Sequence, residues 1–395
     1  MTFCKDIFLE LLKAGLWNAS PDLSLFEKGT VDWKEVLLLC EEQTVTGIVT
    51  SALDKVPQQY LNPSDRARFY ALTMGLQDNN KRLNGFVPYL MAQLERKKVS
   101  SILLKGQGVA LCYREPLLRV SGDVDLLITD YQQYQKARRL MSKISEELGD
   151  EDEGRKHSAY KYKGMVVELH GDFKFSVSKK CWDNTYLWKD KRLNGSFRVV
   201  EDVRLKGAVL PPVQFDVVFI FAHLLNHFMG AGGVGLRQVA DWMMFVDRYF
   251  EDIDMKVLED DLDLLGLRKY WEVFGEMAVG CLDFPRERMP LFAPNHLSNG
   301  RKVLDNIFQT GNFGTKQREA QLGKGANVMV KRMVTLFGQL PVYARNFRIF
   351  PKDSLWCFRE YVMKALHGNK TKTLPGELAR AAQAQSAPPG DSAGQ

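Results

Sequence analysis

The sequence predicts an α+β fold in which strands gather in the middle third of the chain between two helical ends. Three observations lead there. Apolar residues recur at helical spacing through the first hundred positions, short apolar runs bounded by glycine crowd between Ser100 and His170, and helical spacing returns after Pro211-Pro212. With 395 residues, 45% of them hydrophobic and 26% charged, the chain suits two or three domains and a core large enough to need no staples. That composition excludes a disordered chain, a collagen-like repeat and an extended coiled coil.

The elements follow in order. Asp6 to Trp17 and Val31 to Leu39 read as amphipathic helices, and a longer helical stretch starts near Pro63-Ser64-Asp65 and runs towards Lys98 with interruptions at Gly75 and Gly85. Ser101-Ile102-Leu103-Leu104 then reads as a strand entering the glycine turn Lys105-Gly106-Gln107-Gly108, with a helix expected over Val109 to Arg114. Val124 to Ile128 predicts a second strand and Tyr131 to Leu148 a helix. An acidic loop at 150–154 leads to His157 to Tyr162 and Met165 to His170, a hairpin turning at Lys163-Gly164. Helices resume at Gln214 to Met229 and Gly235 to Phe250, and a basic aromatic segment runs from Lys331 to Arg348. These elements divide the chain into an N-terminal helical region at 1–98, a core at 99–210, a C-terminal helical region at 211–368 and a flexible tail at 369–395.

The formal charge of +6 is a weak basic bias that permits a phosphate-bearing ligand; nucleic acid is possible but not indicated. Six scattered cysteines without a CxxC pair indicate neither a disulfide framework nor a zinc knuckle. Asp6 and Glu10 interrupt the first apolar stretch, and Val217 to Leu225 falls short of the ~20 apolar residues a spanning helix needs. A cytoplasmic protein without stable membrane insertion is the expectation.

Within Gly122-Asp123-Val124-Asp125-Leu126-Leu127-Ile128, strand geometry sends the two aspartates to one face and Val124 and Leu126 to the other. Two carboxylates about 7 Å apart on a rigid element suit one or two Mg²⁺ ions held together with substrate phosphates. The same spacing recurs at Asp150/Asp152, Asp252/Asp254 and Asp261/Asp263, where it reads as a solvated charged face. The apolar run after Asp125 sets the first pair apart. Upstream, Lys105-Gly106-Gln107-Gly108 joins a strand end to small residues, a combination of backbone N–H groups that favours phosphate. Downstream, Glu168 and His170 share a face with Val166. Glu168 suits a third carboxylate that also draws a proton from an attacking hydroxyl. His170 reads as an orienting group, a phosphate donor or a structural histidine.

Lys105-Gly106, Arg119, Gly122 to Ile128 and Val167-Glu168-Leu169-His170 together resemble the uncharacterised nucleotidyltransferase family, a branch of the DNA polymerase β-like superfamily. The resemblance implies a small mixed sheet flanked by helical regions, with Asp123, Asp125 and Glu168 as Mg²⁺ (or Mn²⁺) ligands and catalytic acids. It places Gly106, with Gln107 and Gly108, in the phosphate turn and gives Lys105 and Arg119 the task of offsetting triphosphate charge. The implied reaction moves a nucleoside monophosphate from a triphosphate, ATP first among them, to an unknown acceptor hydroxyl, releasing pyrophosphate. Two departures stand out: Lys105-Gly106 replaces the superfamily's Gly-Ser pair, and the third acid is Glu where Asp is commoner. A weakened nucleotide-binding module is therefore the alternative.

His223 and His227 lie four apart without the glutamate of a zinc protease, and they read as polar residues lining a cleft. With Arg237, Asp241 and His170 they are candidates for an acceptor pocket; Arg237 and Asp241 also read as a helix-surface or interhelical pair. In the basic aromatic segment, Lys331, Arg332, Arg345 and Arg348 interleave with Phe337, Tyr343, Phe347 and Phe350. An RNA- or membrane-contacting surface fits that pattern, and a helix with aromatics inward and charges outward fits it better.

Overall fold

A computed structural model describes residues 2–150, 157–194, 196–230, 233–311 and 339–367. Helices α1 (Phe3–Trp17), α2 (Trp33–Glu42), α3 (Thr46–Ala52) and α4 (Pro63–Arg96) come first. Asp32 caps α2 by accepting from the Lys34 and Glu35 N–H groups, and Asn62 caps α4 ahead of Pro63. The interruptions expected at Gly75 and Gly85 do not occur. Both glycines face solvent, where each costs about 1 kcal/mol against alanine, while Phe69, Leu83, Val87, Leu90 and Leu94 bury the opposite face. Packing along 34 residues outweighs that local cost.

The middle of the chain builds β1 (Ile102–Leu104), α5 (Gly106–Ala110), β2 (Asp123–Leu127), α6 (Tyr131–Ile144), β3 (Glu146–Asp150), β4 (Ser158–Tyr162) and β5 (Met165–His170). The strands form a mixed five-stranded sheet in the order β1-β2-β5-β4-β3, with only the β2–β5 pair parallel. The hairpin expected at Lys163-Gly164 is present, and Gly164 takes a left-handed φ of +78° there. Two expectations need correction. The helix over Val109 to Arg114 begins three residues earlier, at Gly106, and is only five residues long. The helix over Tyr131 to Leu148 stops at Ile144, since Glu146 and Glu147 pair with Lys161 and Tyr160 of β4. A partner so distant in sequence cannot be read from local periodicity.

Helix α7 (Lys179–Arg192) precedes a two-strand ribbon, Arg198–Val199 and Val209–Leu210, and α8 (Val213–Met229), α9 (Leu236–Arg248), α10 (Met255–Leu265), α11 (Arg268–Leu282) and α12 (Leu297–Thr310) follow it. The last helix among the described residues spans Pro351–His367. Two apolar cores result among the described residues. One face of the sheet, with Val124, Leu126, Tyr160, Val167 and Leu169, packs with Leu83, Val87 and Leu90 of α4 and Tyr134 and Met141 of α6. The other core joins N- and C-terminal helices and reaches the sheet through Ile102, Leu104 and Leu127.

Several finer readings also meet the structure. Asp261 is not on a solvated face: it is fully buried and takes two hydrogen bonds from Arg192, at 2.6 and 2.7 Å. Its neutralising cation is 69 residues away, which is why the Asp-x-Asp spacing misled. Asp252 and Asp254 are exposed, and Asp254 caps α10. Asp152 lies outside the described residues. Tyr343 and Phe350 are buried as the inward-aromatic reading requires, Phe350 stacking on Tyr270 at 4.1 Å, whereas Phe347 is half exposed. Lys331, Arg332, Phe337 and the tail at 369–395 lie outside the described residues. No disulfide joins any of the six cysteines, and among the described residues no helix is long and apolar enough to cross a membrane.

Helix α3 sits directly on the segment that leads into β2. A Cβ placed on Gly47 would stand 2.3 Å from the Leu118 carbonyl oxygen and 2.9 Å from Leu76. Helix propensity alone would make Gly47→Ala stabilising by up to about 1 kcal/mol. The contact with backbone predicts the opposite sign, a loss of about 1–3 kcal/mol in urea unfolding.

Candidate functional site

The site begins with the segment 117–121, which carries the chain into β2. Asn80, fully buried on α4, donates to the carbonyls of Leu117 and Arg119, both at 2.7 Å. Arg237 of α9 donates to the Val120 carbonyl at 3.1 Å. Arg119 itself is 4% exposed and forms a two-pronged pair with Asp241, its Nε and one terminal nitrogen each 2.7 Å from a carboxylate oxygen. The Tyr113 hydroxyl donates to the same carboxylate at 2.7 Å. Burial and the Asp241 charge hold the Tyr113 phenol well above its usual range, so it stays protonated and able to donate. Arg237 and Asp241, paired in one sequence reading, thus hold different partners in the same clamp.

From this anchored entry, β2 carries Asp123 and Asp125 on the face opposite Val124 and Leu126. Register supplies the neighbours. Leu104 stands opposite Asp125 on one side, bringing Lys105 to the strand end, and Glu168 stands opposite it on β5. One carboxylate oxygen from each of Asp123, Asp125 and Glu168 lies within 4.8 Å of the others. This convergence links acids 45 residues apart in sequence, a result of the parallel β2–β5 pairing.

Asp125 is 1% exposed, so its charge requires local compensation. The Lys105 ammonium lies 2.8 Å from Oδ2 and the His170 Nε2 lies 2.9 Å from Oδ1. Burial alone would raise the Asp125 pKa, but Lys105 and His170 hold the carboxyl well below its ordinary range. Burial likewise opposes the Lys105 charge, and the charges of Asp125 and Asp123 overcome it, leaving the ammonium above its ordinary value. Asp123 moves the other way: the Asp125 charge first and burial second raise its pKa. Glu168 is paired with His157, whose Nε2 is 2.9 Å from Oε2, while His170 Nε2 is 3.7 Å from the same oxygen.

The glycine turn is strained. Lys105 has φ 42° and ψ −139°, a region that glycine normally fills, and Gly106 follows at φ +52°. Gly108 has a packing reason to lack a side chain, because a Cβ there would meet Leu210 at 2.7 Å. Gln107 is buried and donates to Asn84 of α4 at 2.6 Å. Arg119 is turned to Asp241, as described.

Between Phe215 and Met229 of α8 only His223, Asn226 and His227 escape full burial, which makes them one open stripe. Burial first, then the Lys105 charge, lowers both imidazoles, His227 to about 4 and His223 well below its ordinary value. Two neutral imidazoles therefore share the electrostatic environment of Lys105 and Asp125.

The sequence gives His157 only as the start of a strand and not as a site residue. A two-residue turn at Lys163-Gly164 pairs Tyr162 with Met165 and Ser158 with Leu169, so His157 falls beside His170, their ring centres 5.2 Å apart. That signal was present once the turn had been placed.

A family model described as Uncharacterised nucleotidyltransferase matches residues 29–282. No curated protein matches the chain. The crystal structure of an antigenic nucleotidyltransferase-like protein from Paracoccidioides brasiliensis is similar at 14% identity, over 51% of this chain and 92% of that one, with a TM-score of 0.29. At that score the likeness carries no inference.

Two outcomes test the site. Asp241→Ala leaves the Arg119 charge buried without its counter-ion and should cost about 3–5 kcal/mol in urea unfolding, with Arg119→Lys losing less because only the fork geometry is gone. Asp123→Asn should raise the melting temperature of metal-free protein at neutral pH. The sign follows from linkage: with the folded pKa above the unfolded one, the folded state binds the extra proton, so stability falls as pH rises through that window. The variant lacks this fall in a stability profile measured upwards from pH 3.8.

Proposed function

Because the chain belongs to the uncharacterised nucleotidyltransferase family, we propose that it transfers a nucleoside monophosphate from a triphosphate to an acceptor hydroxyl. The convergence of Asp123, Asp125 and Glu168 on one face of a rigid sheet carries this reading. These residues fit a hard divalent cation: the donors are oxygens, and the buried Asp125 Oδ2 has an ammonium nearby but no donor in hydrogen-bonding alignment. Magnesium or manganese held there supplies positive charge to the triphosphate and acidifies an acceptor hydroxyl.

The acceptor oxygen attacks the α-phosphorus, the bond from that phosphorus to the bridging oxygen of the β-phosphate breaks, and pyrophosphate leaves. Glu168 takes the acceptor's proton. Lys105 presents a cation to the phosphates from the strained turn, next to Gly106. Arg119 acts by positioning: its pair with Asp241 fixes the segment that aims β2. His223 and His227, kept neutral, offer hydrogen bonds to an acceptor hydroxyl from α8. ATP as donor and a cytoplasmic setting complete the proposal.

One feature favours a weakened nucleotide-binding module instead. Lys105 already neutralises Asp125, and it stands in the Gly-Ser position of the superfamily pattern. Both readings meet in one assay: purified protein, Mg²⁺ or Mn²⁺ and each α-labelled triphosphate in cell extract, beside Asp123→Ala/Asp125→Ala. Label should move to an acceptor with wild-type protein and fall by at least about a hundredfold in the variant. Metal-dependent triphosphate binding without label transfer would establish the module, and neither binding nor transfer would overturn both readings.

A further inference from the structure

We propose that His157, Glu168 and His170 form a second cation site that prefers a first-row transition-metal ion, zinc above all, to magnesium. Its donors are two imidazole nitrogens and one carboxylate oxygen, all within 4.8 Å of one another. His157 Nε2 and His170 Nε2 lie 2.9 and 3.7 Å from the same Glu168 oxygen. Donors bound to one zinc ion at about 2.0–2.2 Å stand roughly 3.0–3.5 Å apart in tetrahedral or octahedral arrangements. The two separations from Glu168 bracket that range, and the third, between the imidazole nitrogens, is at most 4.8 Å.

The scaffold is suitable. Glu168 and His170 alternate on β5, and His157 directly precedes β4, the antiparallel neighbour. All three side chains are partly exposed, between 17% and 24%, which leaves coordination positions open to water or a ligand. Imidazole suits zinc, iron and copper, whereas magnesium takes oxygen donors and keeps its waters. Coordination would replace the hydrogen bonds these nitrogens make to Glu168 and Asp125, because a metal ligand must be unprotonated at the donor atom. The site rests on the proposed function only where Glu168 is shared with the carboxylate cluster. A transition metal there would stand beside the triphosphate site, with Glu168 between the two.

The test uses full-length, metal-stripped protein and Zn²⁺ as the probe. Affinity is measured by competition with a chromogenic chelator and ligand type by X-ray absorption, in which imidazole rings leave characteristic outer-shell scattering. Wild type and Asp123→Asn should both bind one zinc with two imidazoles in the presence of millimolar Mg²⁺. His157→Ala should weaken binding at least about tenfold and lose imidazole scattering. Zinc bound through oxygen donors alone, no zinc bound at all, or unchanged affinity in a folded His157→Ala variant would overturn the proposal. The wild-type spectrum reports the ligands directly, so a misfolded variant leaves the question decidable. Nucleotidyl transfer is measured separately: transfer without imidazole-bound zinc defeats this inference alone, and imidazole-bound zinc without transfer defeats only the proposed function.

Discussion

A buried carboxylate governs the middle of this molecule. Asp125 lies almost without solvent at the seam between the sheet and the larger helical core, and an uncompensated charge there would be displaced by protonation. Lys105 and His170 keep it ionised, one at each oxygen. Their positions explain much of the local architecture. Lys105 reaches Asp125 from a backbone conformation that disfavours a side chain, and His170 does so from the end of the strand next to β2. The energy that holds the turn in that conformation comes from the surrounding packing and the ion pair together.

A second buried charge performs a different task. The Arg119–Asp241 pair joins the segment before β2 to α9, and with Asn80, Arg237 and Gly47 it leaves that segment little freedom. Removing either partner would strand the other in a low-dielectric environment, so the pair acts as a geometric constraint more than as a source of net stability. The consequence is functional: Asp123 leaves an anchored entry and enters a strand whose back face is packed on α4 and α6. Preorganised carboxylates need no rearrangement to receive a cation.

Asp123, Asp125 and Glu168 carry like charges at close quarters, and Asp123 bears the cost through its raised pKa. Such mutual repulsion destabilises the metal-free protein and favours any cation that relieves it. The two histidines beside Glu168 extend the same cluster towards nitrogen donors, so one sheet face presents hard oxygen ligands at one end and softer ligands at the other.

Much of this was legible before the fold was known. Alternation paired Asp123 with Asp125 on one side of their strand and Glu168 with His170 on one side of theirs, since strand periodicity is a local property of the backbone. The sequence alone determined the helical ends, the hairpin and the candidate acids. Only the tertiary structure decided which charges meet. Arg119 with Asp241, Arg192 with Asp261 and Asp125 with Lys105 and His170 are all set by packing between elements, as is the pairing of β3 with β4 that ends α6. Local spacing cannot encode these contacts, because in a low-dielectric interior a charge selects its partner by proximity in space, and that proximity exists only after distant segments have packed.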